Sequence, residues 1–493
     1  MKKILTFSLI MFIFSVMNIM AANTWYVDPL GTDNGTHGTG TGANAFHTIQ
    51  YAINDSRVIN GDIINVAAGT YAGNITVNKS TIITGNVGGT SPGPGVNAPI
   101  IDGGGAYTSA FFIANGVTNV TIQGFEMRNF ASNSNGVGNG ISAWVTSTSN
   151  ITIQHNYFHN LGWDGVMVGN SAAGDHTNWL IANNILETFK GYGFEYTNTS
   201  NSSIQNNIIH SDQTNNPYDC IMIQPKRNET GISVLNNTID GWFNGQNTNP
   251  VIYITDNNIS VTLSNVTIQN NSIHMTGVQI DINVYKFNFN SVFSNINVNY
   301  NYLPGANPIS TNCSYHATMD FTNNYYGTPD GPKNGSSGNN KFNILTEGGM
   351  VAVSSWLYPF CPWWKDISGT PGSYTGTSFA PITNNVGGKF SCFADAISGT
   401  SANGTLSVAT GTFAETVTIP TGKPLTIQGQ GGTAYVGYSG SACGLSLSSH
   451  ITFSNFAPYS SSTAITINSG GIIQDGVDFA VSGSAVKVIN GTW

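Results

Sequence analysis

Between Ile153 and Tyr326 the chain keeps returning to one phrase: an apolar residue, two variable residues, an Asn, and a second apolar residue two positions on. The copies are Ile153-Asn156-Phe158, Ile181-Asn184-Leu186, Ile204-Asn207-Ile209, Val234-Asn237-Ile239, Ile268-Asn271-Ile273, Val298-Asn301-Leu303 and Phe321-Asn324-Tyr326. Ile122 opens the series with Phe125 in the Asn place. The leaders recur every 23 to 34 residues or so, the interval of a solenoid. Period-two alternation around Ile153 and Ile204 specifies strand rather than helix. A strand this short cannot bury itself, so successive copies must stack, about 4.8 Å apart. The Asn then falls at one corner of every coil. It is expected to adopt the left-handed backbone that a sharp corner needs and to hydrogen-bond to the Asn above and below as a ladder.

Each phrase is followed by a turn and a second alternating run: Gly140 to Ala143, Gly165 to Val168, Gly193 to Tyr196, Cys220 to Ile223, then Val251 to Ile254 and Val278 to Ile282. In the first four, alternation points Ser142, Met167, Glu195 and Met222 outward on neighbouring coils. Thr48 to Ser56 carries an Ile49, Ala52, Ile53, Ser56 stripe at helical spacing. It is expected to cap the open end of the first coil, where strand edges would otherwise be unpaired.

These coils resemble the right-handed parallel β-helix of the pectin-lyase-like superfamily. The opening agrees: Trp25-Tyr26-Val27-Asp28, the Gly-rich stretch from Gly31 to Gly42, Ala45 to Gln50, Gly61-Asp62, Gly69-Thr70-Tyr71 and Asn78-Lys79. So does Asn323-Asn324-Tyr325-Tyr326-Gly327 followed by Gly331-Pro332. The resemblance covers residues 24 to 365. It implies an all-β, right-handed parallel β-helix solenoid in a superfamily that holds lyases, glycosidases, adhesins and other surface proteins.

Lys2 and Lys3, the apolar run from Ile4 to Ile19 and Ala21-Ala22 read as a signal peptide, residues 1 to 22, and hence as secretion. The run is shorter than the roughly 20 residues of a membrane span. Residues 23 to 365 form the β-helix, and 366 to 385, rich in Gly, Ser, Thr and Pro, a linker. From 386 to 493 the opening repeats. Phe393, Ala396 and Ile397 match Ile49, Ala52 and Ile53. Gly411-Thr412-Phe413 matches Gly69-Thr70-Tyr71, and Lys423 to Ile427 matches Lys79 to Ile83. This is the start of a second β-helix unit with no closing element in view. Five cysteines leave at least one unpaired; Cys313 with Cys361 and Cys392 with Cys443 are conceivable bridges.

Only 8% of residues are charged and the net charge is −9. That argues against nucleic acid as a partner and mildly against an anionic polymer unless calcium or a local basic patch meets it. The expected partner is a polysaccharide or other surface glycan, met by a monomer. No metal or other cofactor is indicated. Calcium near Asp28, Asp33 and Asn34 is possible, but their spacing suits turns rather than an EF-hand.

A lyase needs a base and a cation over a uronate carboxylate; a glycosidase needs two carboxylates across the scissile bond. The best cluster spans the coils from Asn139 to Trp242. Asp164 and Asp219 share a turn position two coils apart, roughly 10 Å. Glu195, on the coil between, is expected roughly 8 Å from each, in the inverting-glycosidase window of about 6.5–9.5 Å. Lys226 and Arg227 form a basic pair one turn on. These five are the candidate catalytic residues; Trp144, Trp163, Trp242 and His155 are candidate sugar contacts. Each also has a structural reading: Asp before a strand forms turns, Glu195 and the basic pair solvate a face, the tryptophans pack, and His155, His159 and His210 serve corners. The calcium-binding aspartates of pectate lyases have no match, and the paired Asp-Asp of pectin-hydrolysing relatives is absent. The sequence therefore leaves two readings, a secreted protein that binds or cleaves polysaccharide on its outer face and a non-catalytic adhesin or structural solenoid.

Overall fold

The structure, a computed structural model, describes residues 22–326 apart from 107, 133–135, 146, 170–173, 213–217, 243–249, 277–279, 305–306 and 312–318. It also describes 363–364, 378–390, 393–413, 415–437, 443–489 and 491. The signal segment and most of the linker lie outside these residues. So do Cys313, Cys361 and Cys392, and with them both conceivable bridges.

The first unit is a parallel β-helix. Three sheets, of twelve, eight and nine strands, run its length, and the chain visits them in rotation, one strand per sheet per coil. The first contains Thr118–Gln123, Ser147–Gln154 and Asp175–Ala182, the second Glu126–Phe130, Tyr157–Leu161 and Ile185–Glu187. The third contains Ile141–Ala143, Val166–Val168, Phe194–Thr197 and Ile221–Gln224. Every pairing between coils is parallel and in register, for example Ile153 beside Ile122 and Ile181. Side chains of one parity fill a single long core. Ile122, Ile153, Ile181, Ile204, Val234 and Ile268 stack there, fully buried.

The predicted Asn column stands at the corner between the first and second sheets. Asn156, Asn184, Asn207, Asn237, Asn271, Asn301 and Asn324 are all buried. The backbone N–H and the Nδ2–H of each donate to Oδ1 of the next, at 3.0 and 3.2 Å for Asn156 to Asn184 and 2.9 and 3.0 Å for Asn184 to Asn207. The second Nδ2 hydrogen reaches the preceding coil, as from Asn207 to Ile181 O at 3.0 Å. Two donors and two lone pairs are thus all used, which is how a buried amide avoids its desolvation cost. Phe125 N–H donates to Asn156 and starts the column. One expectation is corrected. The left-handed residue is not the ladder Asn but its predecessor: Gly124, His155, Asn183, Asn206, Asn236, Asn270, Tyr300 and Asn323. The corner is made first, and the Asn after it points inward to stitch it.

The cap forms as a helix, α1, over Ile49–Asn54, with Ile49, Ala52 and Ile53 buried. It is shorter than predicted, because Asp55 accepts Arg57 N–H and its guanidinium and turns the chain before Ser56. The Asp33 carboxylate receives His47 N–H, Thr48 N–H and Thr48 Oγ1–H and clamps the start of α1.

The second core is separate. A helix α2, Phe393–Ser398, buries Phe393, Ala396 and Ile397, and parallel strands come after it at Gly404–Phe413, Leu425–Val436 and Ile451–Ser454. Where the sequence shows no closing element, a third helix, α3, occupies Ile473–Phe479. Its Phe479 ring packs against Phe453 and Phe456 at 5.5 and 5.3 Å.

Candidate functional site

Register across the third sheet sets Ser142, Met167, Glu195, Met222 and Tyr253 in one column on its outer face. The sequence points these to solvent. They do point away from the core, yet Ser142, Met167 and Met222 are only 4%, 8% and 3% exposed. This stretch of the face is largely covered, and Glu195 and Tyr253 are its partly open members.

Asp164, Tyr192 and Asp219 occupy equivalent turn positions, each two residues before a strand of that sheet. Gly193 N–H donates to Asp219 O and Gly140 N–H to Asp164 O, so the turns stack like the strands. Asp164 is fully buried. Its Oδ1 accepts Tyr192 N–H at 2.6 Å, and its Oδ2 meets no donor. Burial, and then the negative charge of Glu195, push this carboxyl well above the usual carboxylate range. Protonated, it donates to Glu195. Burial also raises Glu195, against a 2.9 Å hydrogen bond from Thr197 Oγ1, the bond from Asp164, and the charge of Lys226. Asp219, with an unpartnered Oδ1, is raised well above its range by burial and by Glu195. Three carboxyls from three successive coils therefore act on one another. The expected spacing is corrected: Asp164 and Glu195 are in hydrogen-bond contact rather than roughly 8 Å apart, so no sugar fits between them.

The local fold explains the contact. A Cβ on Gly191 would come within 2.2 Å of Asp164 Oδ1 and 2.8 Å of the Trp163 ring. Only glycine lets the turn close over both. Trp163 then packs edge-on to Tyr218 at 5.6 Å, and Tyr218 against Tyr192 at 5.7 Å. Burial and all three carboxyls raise the Tyr192 phenol. Alternation in the sequence does not single out Tyr192 and Tyr218; the signal that finds them is Tyr192 standing two residues before its strand and Tyr218 one residue before the Asp219 turn position.

The basic pair divides. Lys226 is half-buried; burial lowers its pKa and Glu195 supports its charge. Arg227 faces elsewhere, donating to Gly174 O and pairing with Asp175 at 3.3 Å. Trp144 is 46% exposed at the exit of its strand, and its ring lies over Gly136. The Trp242 side chain lies outside the described residues. His155 does not join the cluster. It is the left-handed residue of the ladder corner, with Nδ1 at 3.1 Å from Ser91 O. His159 and His210 sit on the second sheet, facing Glu126 and Asp240. Among the described residues, no group of three or more His, Cys, Asp or Glu has metal-binding geometry, and no helix is long and apolar enough to cross a membrane.

Three solved structures are similar to this chain at low overall likeness. The catalytic domain of a GH87 α-1,3-glucanase in complex with nigerose is 14% identical over 60% of this chain and 66% of that one, TM-score 0.35. A tailspike protein of Acinetobacter baumannii bacteriophage Fri1, a capsular polysaccharide depolymerase, is 10% identical over 62% and 59%, TM-score 0.36. This chain thus spans less than two thirds of either structure. The A-module of an Azotobacter vinelandii mannuronan C-5 epimerase is 12% identical over 83% and 93%, TM-score 0.33. No curated protein matches the sequence. Residues 31–233, from before the capping helix through the carboxyl cluster, match the family model described as a protein of unknown function, DUF1565.

Proposed function

We propose that this chain is a secreted protein that binds polysaccharide along the outer face of its third sheet and cleaves it by glycoside hydrolysis, with Glu195 as the proton donor. The observation that carries this reading is the convergence of Asp164, Glu195 and Asp219 from three coils. Of these, only Glu195 is open enough to touch a glycan. A general acid must hold its proton near working pH, and burial pushes Glu195 that way. Asp164, wholly buried, is a positioning residue: its proton sits against Glu195 and sets how readily that carboxyl ionises. Asp219, buried with an unpartnered oxygen and raised well above its range beside Glu195, is a second positioning residue. A lyase is less well served. It needs a cation free to meet a uronate carboxylate, whereas Lys226 is engaged by Glu195 and Arg227 by Asp175.

The second reading is a non-catalytic adhesin or surface solenoid, favoured by the burial of two of the three carboxyls. Reducing-sugar release from a panel of neutral and acidic polysaccharides separates the two. Under the hydrolase reading, Glu195→Gln lowers kcat by roughly 100-fold or more. Asp164→Asn lowers it less and shifts the alkaline limb of the pH profile, where Glu195 loses its proton. Turnover untouched by Glu195→Gln places the site elsewhere. Glycan retention without turnover on any substrate selects the adhesin.

A further inference from the structure

A cavity of about 400 Å³ opens at the turn between the second and third sheets, within the roughly 300–1,000 Å³ of ligand sites. Phe130 and Leu161, both buried, contribute its apolar lining. Asn129 and Asn160 stand on adjacent coils at its edge, with Asn160 Nδ2–H donating to Asn129 Oδ1 at 3.2 Å. Its one charged lining residue is Lys190, which is exposed and pairs with no carboxylate among the described residues. An apolar surface, amide edges and a cation suit the face, hydroxyls and acidic group of a substituted sugar.

The cavity adjoins the carboxyl cluster. Lys190 N–H and Gly191 N–H both donate to Trp163 O, at 3.3 and 3.2 Å. Gly162 on one coil and Lys190 on the next each precede a member of the Asp164–Tyr192 turn column by two residues, roughly 7 Å of chain. The two places have opposite electrostatics. Glu195, partly open and with Lys226 already engaged beside it, disfavours an anionic sugar, whereas Lys190 attracts one.

We propose that this cavity binds an anionic sugar unit, a uronate or a sulfated sugar, next to a neutral unit lying over Glu195. The ligand is then a polysaccharide in which acidic and neutral residues are neighbours. This rests on the glycan-binding part of the reading above and not on cleavage.

The test uses the full chain on an array of oligosaccharides in matched neutral, uronate-bearing and sulfated forms. Titration calorimetry is then run with the best-retained acidic member and its neutral counterpart. Acidic members should bind more tightly than their partners. Lys190→Ala should weaken them about five- to tenfold, as loss of a charge-assisted contact does, and leave neutral members unchanged. Lys190→Arg should keep the preference, and added salt should erode it. Comparison of the uronate and sulfate arms identifies the substituent. Absence of binding to every acidic member, or binding that Lys190→Ala and Lys190→Glu leave unchanged, overturns the proposal. Lys190-dependent binding with no turnover thus sinks only the hydrolase reading, and turnover with no acidic preference sinks only this one.

Discussion

The two units begin alike and turn their corners differently. In the first, a left-handed residue is followed by a buried Asn, coil after coil, and the amides join into one column. In the second, Asn455 is left-handed and Phe456, buried, takes the next place. Its ring meets Phe393 of the capping helix at 5.5 Å. One coil earlier, Leu425–Val436 passes the corner without a break, through Gly429, Gly431 and Gly432, at a shift in register. The first unit contains the same aromatic corner once, at Gly124-Phe125, where the ladder starts. The comparison separates two jobs that the repeat merges. The left-handed residue bends the chain. The residue after it fastens the coils, by apolar packing close to a cap and by hydrogen bonds farther along.

The largest effect is expected from Asn207→Leu. It orphans Asn184 N–H, Asn184 Nδ2–H and Ile181 O in a dry interior, at about 1–3 kcal/mol for a buried group left unpaired. The first unit should lose about 3 kcal/mol in urea unfolding while the second is unmoved. An unchanged midpoint would break the distinction between fastening and bending.

A smaller effect separates the units by pH. Asp164, Glu195, Asp219 and Glu229 have pKa values raised by burial, so the native first unit keeps protons that its unfolded chain releases. Stability is then greatest below the unfolded carboxylate values of about 4 and falls as pH rises toward the raised ones. Hydrogen exchange read separately on the two units should show this decline in the first. Asp219→Asn should flatten it, by about 1.4 kcal/mol for each pKa unit removed. An equal slope in both units, or one that Asp219→Asn leaves intact, would refute the assignment.

The smallest effect tests the bend itself. Asn206→Ala and Asn455→Ala should each cost about 1–2 kcal/mol, because alanine resists the left-handed region, and the matching glycine variants should cost less. Unequal penalties in the two units would mean that their corners differ in backbone as well as in fastening.

The ladder was legible because its interval is that of the coils, and the stacking of Ile153, Ile181 and Ile204 comes with it. The left-handed position is off by one residue in the sequence because Asn fills both places in Asn183-Asn184, Asn206-Asn207, Asn236-Asn237, Asn270-Asn271 and Asn323-Asn324. Only His155-Asn156 and Tyr300-Asn301 break the doublet and reveal which residue bends. In the site, the grouping of Asp164, Glu195 and Asp219 emerges from coil counting. Their mutual contact does not. It depends on a turn that closes because Gly191 has no side chain and Tyr192 N–H points at Asp164. Nor does alternation reveal that Arg227 folds back onto Gly174 while Lys226 stays beside Glu195.

The nine strands of the third sheet divide evenly about the carboxyls. Those of Val166–Val168, Phe194–Thr197 and Ile221–Gln224 are the middle three, with three before and three after. A solenoid holds together by nearest-neighbour contacts and opens from its ends. Local melting must therefore consume the three described coils on either side before it reaches the three carboxyls. In hydrogen exchange the protection of these three strands should approach that of global unfolding, so a protease or a warming environment would trim the ends of this molecule long before it disarmed the middle.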